Sequence, residues 1–325
     1  MTSNLAETGS SHKRSPPLLV IVGPTAVGKT ALSLDLASQI GGEIVSADSR
    51  LLYRGMDIGT DKPSYSDRVR IPHHLIDICR PDETITLGQY QRLANAAIRE
   101  IQGRDRVPIL VGGTGQYVRA VVEGWQIPSV PPDYQLREAL LRVGQTELAR
   151  WLSVLDAESA ARIDQRNIRR VIRALEVTLV RGVRMSSLRR SSAPDFTIKM
   201  IGLTSDRELL YDRVDGRVDA MMKNGLLDEV RSLRNKGYDR HISSMSGLGY
   251  RQLLAYLDGE CTLDEAIERI KFETHRFIRQ QANWFRLDDD TITWIDIISP
   301  SWMERAASLI KEWFGSGQDL YEYSG

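Results

Sequence analysis

Apolar and polar positions follow two different periods along most of this chain. Short apolar runs typical of buried strands recur at residues 18–22, 43–47, 74–78, 107–111 and 196–203. The stretches between them carry apolar residues every three or four positions, the spacing of amphipathic helices. Strands that alternate with helices predict a parallel sheet covered by helices, and ligands of such sheets bind at the carboxyl ends of the strands.

The pattern changes after Trp125, where three prolines interrupt the chain and an all-helical stretch follows. We therefore predict a helical insertion at 129–195 within an α/β core made of 16–128 and 196–325. Residues 1–15 are rich in Ser and Thr and lack the apolar centre of a secretory signal, which predicts a disordered tail.

Two helix starts and a peripheral tail complete the expected organisation. Ser205 with Glu208, and Thr262 with Glu265, have the spacing of capping boxes and predict helices that begin just after them. After Leu287, an acidic run and a short amphipathic segment predict a tail that lies on the periphery.

Composition limits the function classes. The 325 residues are 42% hydrophobic and 26% charged with a formal net charge of +0, so any nucleic-acid contact must depend on local basic patches. Cys79 and Cys261 have no metal-type spacing, which favours a reducing cytosol over a zinc or disulfide framework. No apolar stretch approaches the length needed to span a membrane.

A phosphate-binding loop directly follows the first apolar run. Its pattern is G-x-x-x-x-G-K-[ST], formed by Gly23, Pro24, Thr25, Ala26, Val27, Gly28, Lys29 and Thr30. The glycines let successive N–H groups point inward at a helix N-terminus, Lys29 adds positive charge, and the Thr30 hydroxyl can ligate Mg²⁺. This segment, called the phosphate loop below, predicts binding of a di- or triphosphate group.

Two further strand ends carry candidate chemistry. Asp48 follows the second apolar run, and the segment from Gly112 to Gly115, which contains Thr114, follows the fourth. Asp48 could hold Mg²⁺ through water, accept a proton from a nucleophile, or simply cap a helix. Because these ends share one edge of the predicted sheet, we favour a single active site. His73 and His74 point to opposite sides of an extended segment, which favours a structural role over a metal site.

Arginines form basic helical faces. Five of them are expected on one face of a helix in the insertion: Arg162, Arg166, Arg169, Arg170 and Arg173. Such a face is either solvated and paired to carboxylates or a polyanion-binding surface, and the scarcity of nearby acidic residues favours the second. Arg213 and Arg217 share a face of another helix and either close on a diphosphate or form an ordinary surface pair.

Several motifs resemble those of the bacterial tRNA dimethylallyltransferases. The matching segments, in the order of that family, are GPTAVGKT at 23–30, SADSRLLY at 46–53, GMDIGTDKP at 55–63, PHHLID at 72–77, LVGGTG with Tyr117 at 110–117, RALEV at 173–177, GYRQ at 249–252 and the stretch 279–286. The resemblance spans roughly 18–287. It implies a P-loop fold like that of nucleoside-triphosphate hydrolases, with a helical insertion domain.

The resemblance also implies a reaction and its residues. A dimethylallyl group would pass from dimethylallyl diphosphate to N6 of adenosine 37 in the tRNA anticodon stem-loop. The phosphate-loop motif adds Mg²⁺ as the expected cofactor, with the Thr30 hydroxyl as its ligand. Asp48 matches the family's general base, and Thr114 and Arg213 match polar groups of the active site. Segments that match tRNA contacts comprise Asp48, Ser49, Arg50, Leu51, Arg169, Arg170, Val171, Ile172, Arg173, Ser246, Gly247, Leu248, Gly249, Tyr250, Arg251, Arg279, Gln280, Gln281, Ala282, Asn283, Trp284, Phe285 and Arg286.

Other functions remain open at this point. Many relatives carry Gln where this chain has Leu51, so one base contact is absent or replaced, and no Cys/His zinc segment follows the core. The alternatives are an adenylate isopentenyltransferase that makes free cytokinin, a small-molecule P-loop kinase, and an RNA-binding protein with a vestigial loop. The basic surfaces disfavour an adenylate isopentenyltransferase, because a free nucleotide needs no extended surface. The specific 46–63 segment has no role in a kinase. The intact phosphate loop disfavours an RNA-binding protein that has lost its activity. We expect a cytoplasmic monomer with no membrane partner.

Overall fold

A computed structural model describes residues 15–128, 130–188, 192 and 194–315 of the chain. The predicted disordered tail, 1–15, lies outside these residues except for Ser15. Arg189 and Arg190, two further arginines of the predicted insertion, also lie outside them. Among the described residues, no helix is both long and apolar enough to cross a bilayer.

Six parallel strands form one sheet in the order β3-β2-β4-β1-β5-β6. The strands are β1 (Pro17–Val22), β2 (Gly42–Ser46), β3 (His73–His74), β4 (Val107–Gly112), β5 (Thr197–Thr204) and β6 (Ile292–Asp296). The register sets Val22, at the end of β1, opposite Gly112 of β4 and Gly202 of β5. The loops that follow β1, β4 and β5 therefore leave the sheet at one edge.

Helices connect and cover the strands. They are α1 (Lys29–Ile40), α2 (Tyr65–Arg70), α3 (Leu87–Gln102), α4 (Gly115–Val122), α5 (Tyr134–Val143), α6 (Gln145–Leu155), α7 (Ala157–Arg162), α8 (Ile168–Arg181), α9 (Met185–Leu188), α10 (Arg207–Lys223), α11 (Leu226–Asn235), α12 (Tyr250–Leu257), α13 (Leu263–Gln281) and α14 (Trp302–Gly315), with a short 3₁₀ helix at Ser244–Ser246.

The chain divides into two compact units. The first, made of the described residues within 1–84, 96–115 and 195–325, contains the whole sheet, and its central strand β1 is buried along its full length. The second, residues 85–95 and 116–194, is helical and has its own core, in which Leu148, Leu152 and Leu175 are fully buried. The predicted insertion falls in the second unit up to Pro194. The second unit also takes 85–95 and 116–128, which the sequence assigned to the core.

The strand predictions succeeded where strands are central. Four apolar runs form β1, β2, β4 and β5 with shifts of one residue. The run predicted at 74–78 shortens to the two residues of β3, because Leu75 and Asp77 adopt left-handed backbone angles (φ 62° and 58°) that end the strand.

The peripheral tail was a wrong prediction. Residues 292–296 form the edge strand β6, parallel to β5, and Ile292 and Ile295 are buried against the sheet. The following helix α14 brings Trp302 beside Gly28 of the phosphate loop. A five-residue edge strand is marked weakly in sequence, because the sheet rather than local periodicity stabilises it.

Of the two predicted helix starts, one is confirmed and the other is wrong. Thr262 and Glu265 form the predicted capping box of α13. Ser205 does not cap α10, which begins after Asp206, and the Ser205 hydroxyl is buried without a hydrogen bond. The basic stretch is also not one helix: α7 ends at Arg162, and Asn167 caps α8 by accepting from the Arg170 N–H.

Candidate active site

The phosphate loop joins β1 to α1 and needs glycine at two positions. Gly23 has φ 147°, and a Cβ there would lie 2.6 Å from the Leu203 carbonyl oxygen. Gly28, directly before α1, has φ 101°, in the region that L side chains rarely adopt. The loop can therefore curl in front of the N-terminus of α1, as anion binding requires.

The Lys29 ammonium is enclosed by this curl. It donates to the carbonyl oxygens of Gly23 at 3.0 Å and Pro24 at 2.7 Å. Burial lowers the pKa of Lys29 from 10.5 to about 8, an effect that the carboxylate of Asp48 partly opposes. The loop thus holds a cation whose charge a bound anion would stabilise.

Asp48 follows β2 and is partly exposed. Its Oδ1 accepts from the Arg50 N–H at 2.8 Å, so the carboxylate closes a turn of the loop. No helix starts there, and the helix-cap interpretation of Asp48 is therefore wrong. Oδ1 stabilises the turn, whereas Oδ2 accepts no hydrogen bond from the described residues.

Thr114 lies against the same loop. Its N–H donates to the Ala47 carbonyl oxygen at 3.3 Å, and its hydroxyl oxygen accepts from the Ser49 N–H at 3.2 Å. The loops after β2 and β4 are thus bonded on both sides of Asp48. The predicted convergence of strand ends on one site is present in the structure.

The two arginines of α10 have different environments. Arg213 is exposed and its guanidinium reaches the Ala26 carbonyl oxygen of the phosphate loop at 3.4 Å. Arg217 forms an ion pair with Asp61 at 3.1 Å. Arg213 therefore contacts the phosphate loop directly, whereas Arg217 contacts the 55–63 segment and lies close enough to Lys29 to help lower its pKa.

Glu229 is a site residue that sequence reasoning missed. Its carboxylate accepts from the N–H groups of Asp57, Ile58 and Gly59 at 2.8–3.2 Å and from the Tyr250 hydroxyl at 2.6 Å. Burial and this carboxylate raise the pKa of Tyr250. Glu229 of α11 thereby fixes the 55–63 segment to the start of α12. No local pattern marks a helix glutamate that binds backbone 170 residues earlier.

The segments matched to tRNA contacts contain both surface and core positions. The exposed ones are Arg169, Arg170, Ser246, Arg251, Arg279, Gln280, Ala282, Asn283 and Arg286. The buried ones are Val171, Ile172, Gly247, Gly249, Tyr250, Gln281 and Phe285. Ser49, Arg50, Leu51, Arg173, Leu248 and Trp284 are partly exposed. The tRNA contacts themselves stay a prediction, and only the exposed and partly exposed members have side chains that reach the surface.

Arg173 of α8 is engaged inside the second unit. Its guanidinium pairs with Glu176 at 2.5 Å and donates to the Val130 carbonyl oxygen at 2.9 Å. Arg137 pairs with the same carboxylate at 2.8 Å. Burial disfavours the Glu176 carboxylate, but hydrogen bonds from Arg137 and Arg173 outweigh it and lower the pKa. This buried network was not expected from the helical face.

The two histidines have the structural role that was predicted. His73 bonds the Ile71 carbonyl oxygen at 2.7 Å, and His74 bonds Glu43 at 2.7 Å. Within the described part of the chain, no cluster of three His, Cys, Asp or Glu side chains could hold a metal ion.

The fold and this site define the class: an α/β protein with a phosphate-binding loop at the carboxyl edge of a parallel sheet. The family model described as IPP transferase matches residues 51–288. The chain belongs to this family, as its motifs predicted.

Curated relatives carry one name. The chain is 50% identical over 304 residues to a tRNA dimethylallyltransferase of Roseiflexus castenholzii, covering 92% of this chain and 99% of that protein. It is 48% identical over 298 residues to a tRNA dimethylallyltransferase of Thermomicrobium roseum, covering 90% of each.

Solved structures agree on the fold. A tRNA isopentenylpyrophosphate transferase of Bacillus halodurans is 39% identical with a TM-score of 0.70, covering 94% of this chain and 98% of that one. A eukaryotic dimethylallyltransferase described as acting on tRNA has a TM-score of 0.81 at 24% identity, covering 93% of this chain and 80% of that one, a likeness of fold. The predicted fold class, a P-loop sheet like that of nucleoside-triphosphate hydrolases, is confirmed.

Proposed function

We propose that the chain transfers a dimethylallyl group from dimethylallyl diphosphate to N6 of adenosine 37 in the anticodon stem-loop of tRNA. Family membership and the names of relatives about 50% identical over most of the chain support the reaction class. The observation that carries the proposal is the joint placement of the phosphate loop, Asp48 and Thr114 at one sheet edge. A diphosphate-binding loop beside a carboxylate suits displacement of diphosphate by an amine.

The chemistry follows from the weak nucleophile. The lone pair of an adenine amine is delocalised into the ring, so the reaction needs a good leaving group and stabilisation of its charge. N6 forms a bond to the allylic carbon while the carbon–oxygen bond to diphosphate breaks, and the bonding pair leaves with diphosphate. Lys29, the loop N–H groups and Arg213 stabilise that charge. Asp48 accepts the amine proton.

Mg²⁺ is part of the proposal, with Thr30 as its protein ligand. Thr30 is exposed at the start of α1, and its hydroxyl makes no hydrogen bond within the described residues. Mg²⁺ commonly keeps several waters and takes its other oxygens from phosphates, so a site without a carboxylate cluster fits this ion. When bound, it neutralises charge on the diphosphate.

Two basic surfaces are proposed to bind tRNA: the exposed arginines of α8, and the exposed positions from Arg279 to Arg286. The target adenine must leave its stack to be modified, so affinity for the surrounding RNA has to compensate the cost of unstacking. We propose that the chain works as a monomer in the cytoplasm, where its tRNA substrate is found.

The test is transfer of label from radiolabelled dimethylallyl diphosphate with Mg²⁺, offered unmodified tRNA and AMP in parallel. We expect label in tRNA only, loss of transfer when EDTA removes the metal, and recovery when Mg²⁺ is restored. Label in AMP would instead assign the chain to free cytokinin synthesis. No label in either acceptor, with ATP consumed, would assign it to the kinases.

A further inference from the structure

Gln281, the last residue of α13, joins two loops of the site. Its Oε1 accepts from the Thr25 N–H of the phosphate loop at 2.9 Å, and its Nε2 donates to the Gly113 carbonyl oxygen at 3.2 Å. These loops follow β1 and β4, which are neighbours in the sheet. One side-chain amide therefore spans the two loops that carry the phosphate cradle and Thr114.

Gln281 has the environment of a buried structural residue. The residue is 5% exposed, whereas its neighbours Gln280 and Asn283 are exposed. Both polar ends of its amide are bonded to backbone groups, and the buried side chain does not reach the surface where RNA would bind. Three residues later, Trp284 packs so tightly on Gly115 that a Cβ at Gly115 would lie 2.2 Å from its ring. The end of α13 and the turn after it thus contact the residues on both sides of Thr114.

We infer that Gln281 is a positioning residue that sets the phosphate loop in register with Thr114 and, through the bonds of Thr114 to Ala47 and Ser49, with Asp48. It belongs to a segment whose exposed members are proposed to bind RNA, yet its own effect is on diphosphate. The inference rests on the proposed function for the identity of the reaction, but its primary readout is anion binding.

The first test replaces the amide with an apolar chain of similar length, Gln281→Met. We expect the Kd for inorganic pyrophosphate with Mg²⁺, measured by calorimetry, to rise about tenfold, because two buried hydrogen bonds are lost. The Kd for tRNA stays within about twofold of the unchanged protein. The matched control is Gln102→Met, which removes an amide bonded to the Pro17 carbonyl oxygen at the other end of β1 and leaves pyrophosphate binding unchanged.

A second variant disturbs the same contact from the opposite side. A Cβ at Gly113 would lie 2.3 Å from Gln281 Nε2, while its next contacts are at 3.5 Å, so Gly113→Ala displaces chiefly this amide. We expect Gly113→Ala alone to weaken pyrophosphate binding. In a Gln281→Ala background, where the space is empty, it should add little.

Two results would overturn the inference. One is weaker tRNA binding by Gln281→Met at unchanged pyrophosphate affinity, the behaviour of an RNA contact. The other is full additivity of Gly113→Ala and Gln281→Ala, which would mean that the effect does not pass through this bond. If the protein binds pyrophosphate but transfers no label, only the proposed function is contradicted. The test of Gln281 by pyrophosphate binding still applies.

Discussion

The phosphate-loop edge of the first unit and helix α8 of the second unit use polar residues in opposite ways. At the phosphate loop, the partly buried Lys29 ammonium is bonded to backbone carbonyl oxygens, and the buried Gln281 amide is bonded to a backbone N–H and a backbone carbonyl oxygen. On α8, Arg169 and Arg170 are exposed and make no ion pair within the described chain. Their helix neighbour Arg173 is instead bound to buried Glu176.

This difference between the two regions shows which side chains need a fixed position and which need to stay solvent-exposed. A group that meets a reacting atom gains from fixed geometry, since a small displacement costs catalysis heavily. A group that attracts a polyanion works through charge at long range and loses little by remaining solvated. Four predictions test this division, from the largest expected effect to the smallest.

Asp48→Asn tests the chemical side of the comparison. We expect single-turnover transfer to tRNA to slow by about 10²- to 10⁴-fold, because the amide cannot accept the proton. The amide oxygen of the variant would still accept from the Arg50 N–H, so the loop and the tRNA Kd should be preserved. Asp35→Asn on α1 is the control and should not slow transfer. Equal losses of rate and tRNA affinity would make Asp48 a structural residue.

Glu176→Ala tests whether Arg173 belongs to the structural group. Removing the carboxylate leaves the partly buried guanidinium groups of Arg137 and Arg173 without their partner, and we expect the free energy of unfolding to fall by about 3 kcal/mol in urea titrations. Glu138→Ala removes an exposed partner of Arg142 and serves as the control, with no measurable change expected. Similar effects of the two variants would contradict the assignment.

The double variant Arg169→Gln, Arg170→Gln tests whether the exposed arginines of α8 bind tRNA. We expect tRNA affinity at low salt to weaken about tenfold and the slope of log affinity against log salt to decrease by about one to two. The rate of transfer at saturating tRNA should not change. The comparison pair is Arg142→Gln with Arg150→Gln, whose arginines pair with Glu138 and Glu147. If both pairs act alike, α8 is no special docking surface.

The lowered pKa of Lys29 predicts that pyrophosphate binding at the phosphate loop depends on pH. Burial disfavours the charged amine in the free protein, so protons leave Lys29 as pH rises through about 8. A bound anion needs that charge, and the Kd for pyrophosphate should therefore increase about threefold between about pH 7.5 and 8.5. Burial of charged Lys29 also costs stability below about pH 8, a cost that disappears as pH rises toward 10.5. In Lys29→Met the pH dependence of the Kd should be flat; an unchanged slope would exclude Lys29 as its source.

Much of the site could be predicted because its determinants are local. The phosphate loop depends on two glycines, a lysine and a threonine at fixed spacing behind an apolar strand, and Asp48 and Thr114 follow strands that are themselves apolar runs. The parallel sheet then brings these loops to one edge. By contrast, β3 ended early at two left-handed residues, and β6 was missed because its pairing partner β5 lies some ninety residues earlier in the chain.

The sequence by itself determined the fold class, the family and the position of the phosphate loop, since each depends on residue types at short separations. Only the tertiary structure decided which members of a conspicuous motif work on the surface and which inside. Gln281, Arg173 and Tyr250 stand among predicted RNA contacts, yet each bonds mainly to groups within its own unit. Glu229 has no motif and still fixes three backbone N–H groups. The physical reason is that a polar side chain's role is set by the partner it meets, and that partner is chosen by packing between residues far apart in the chain.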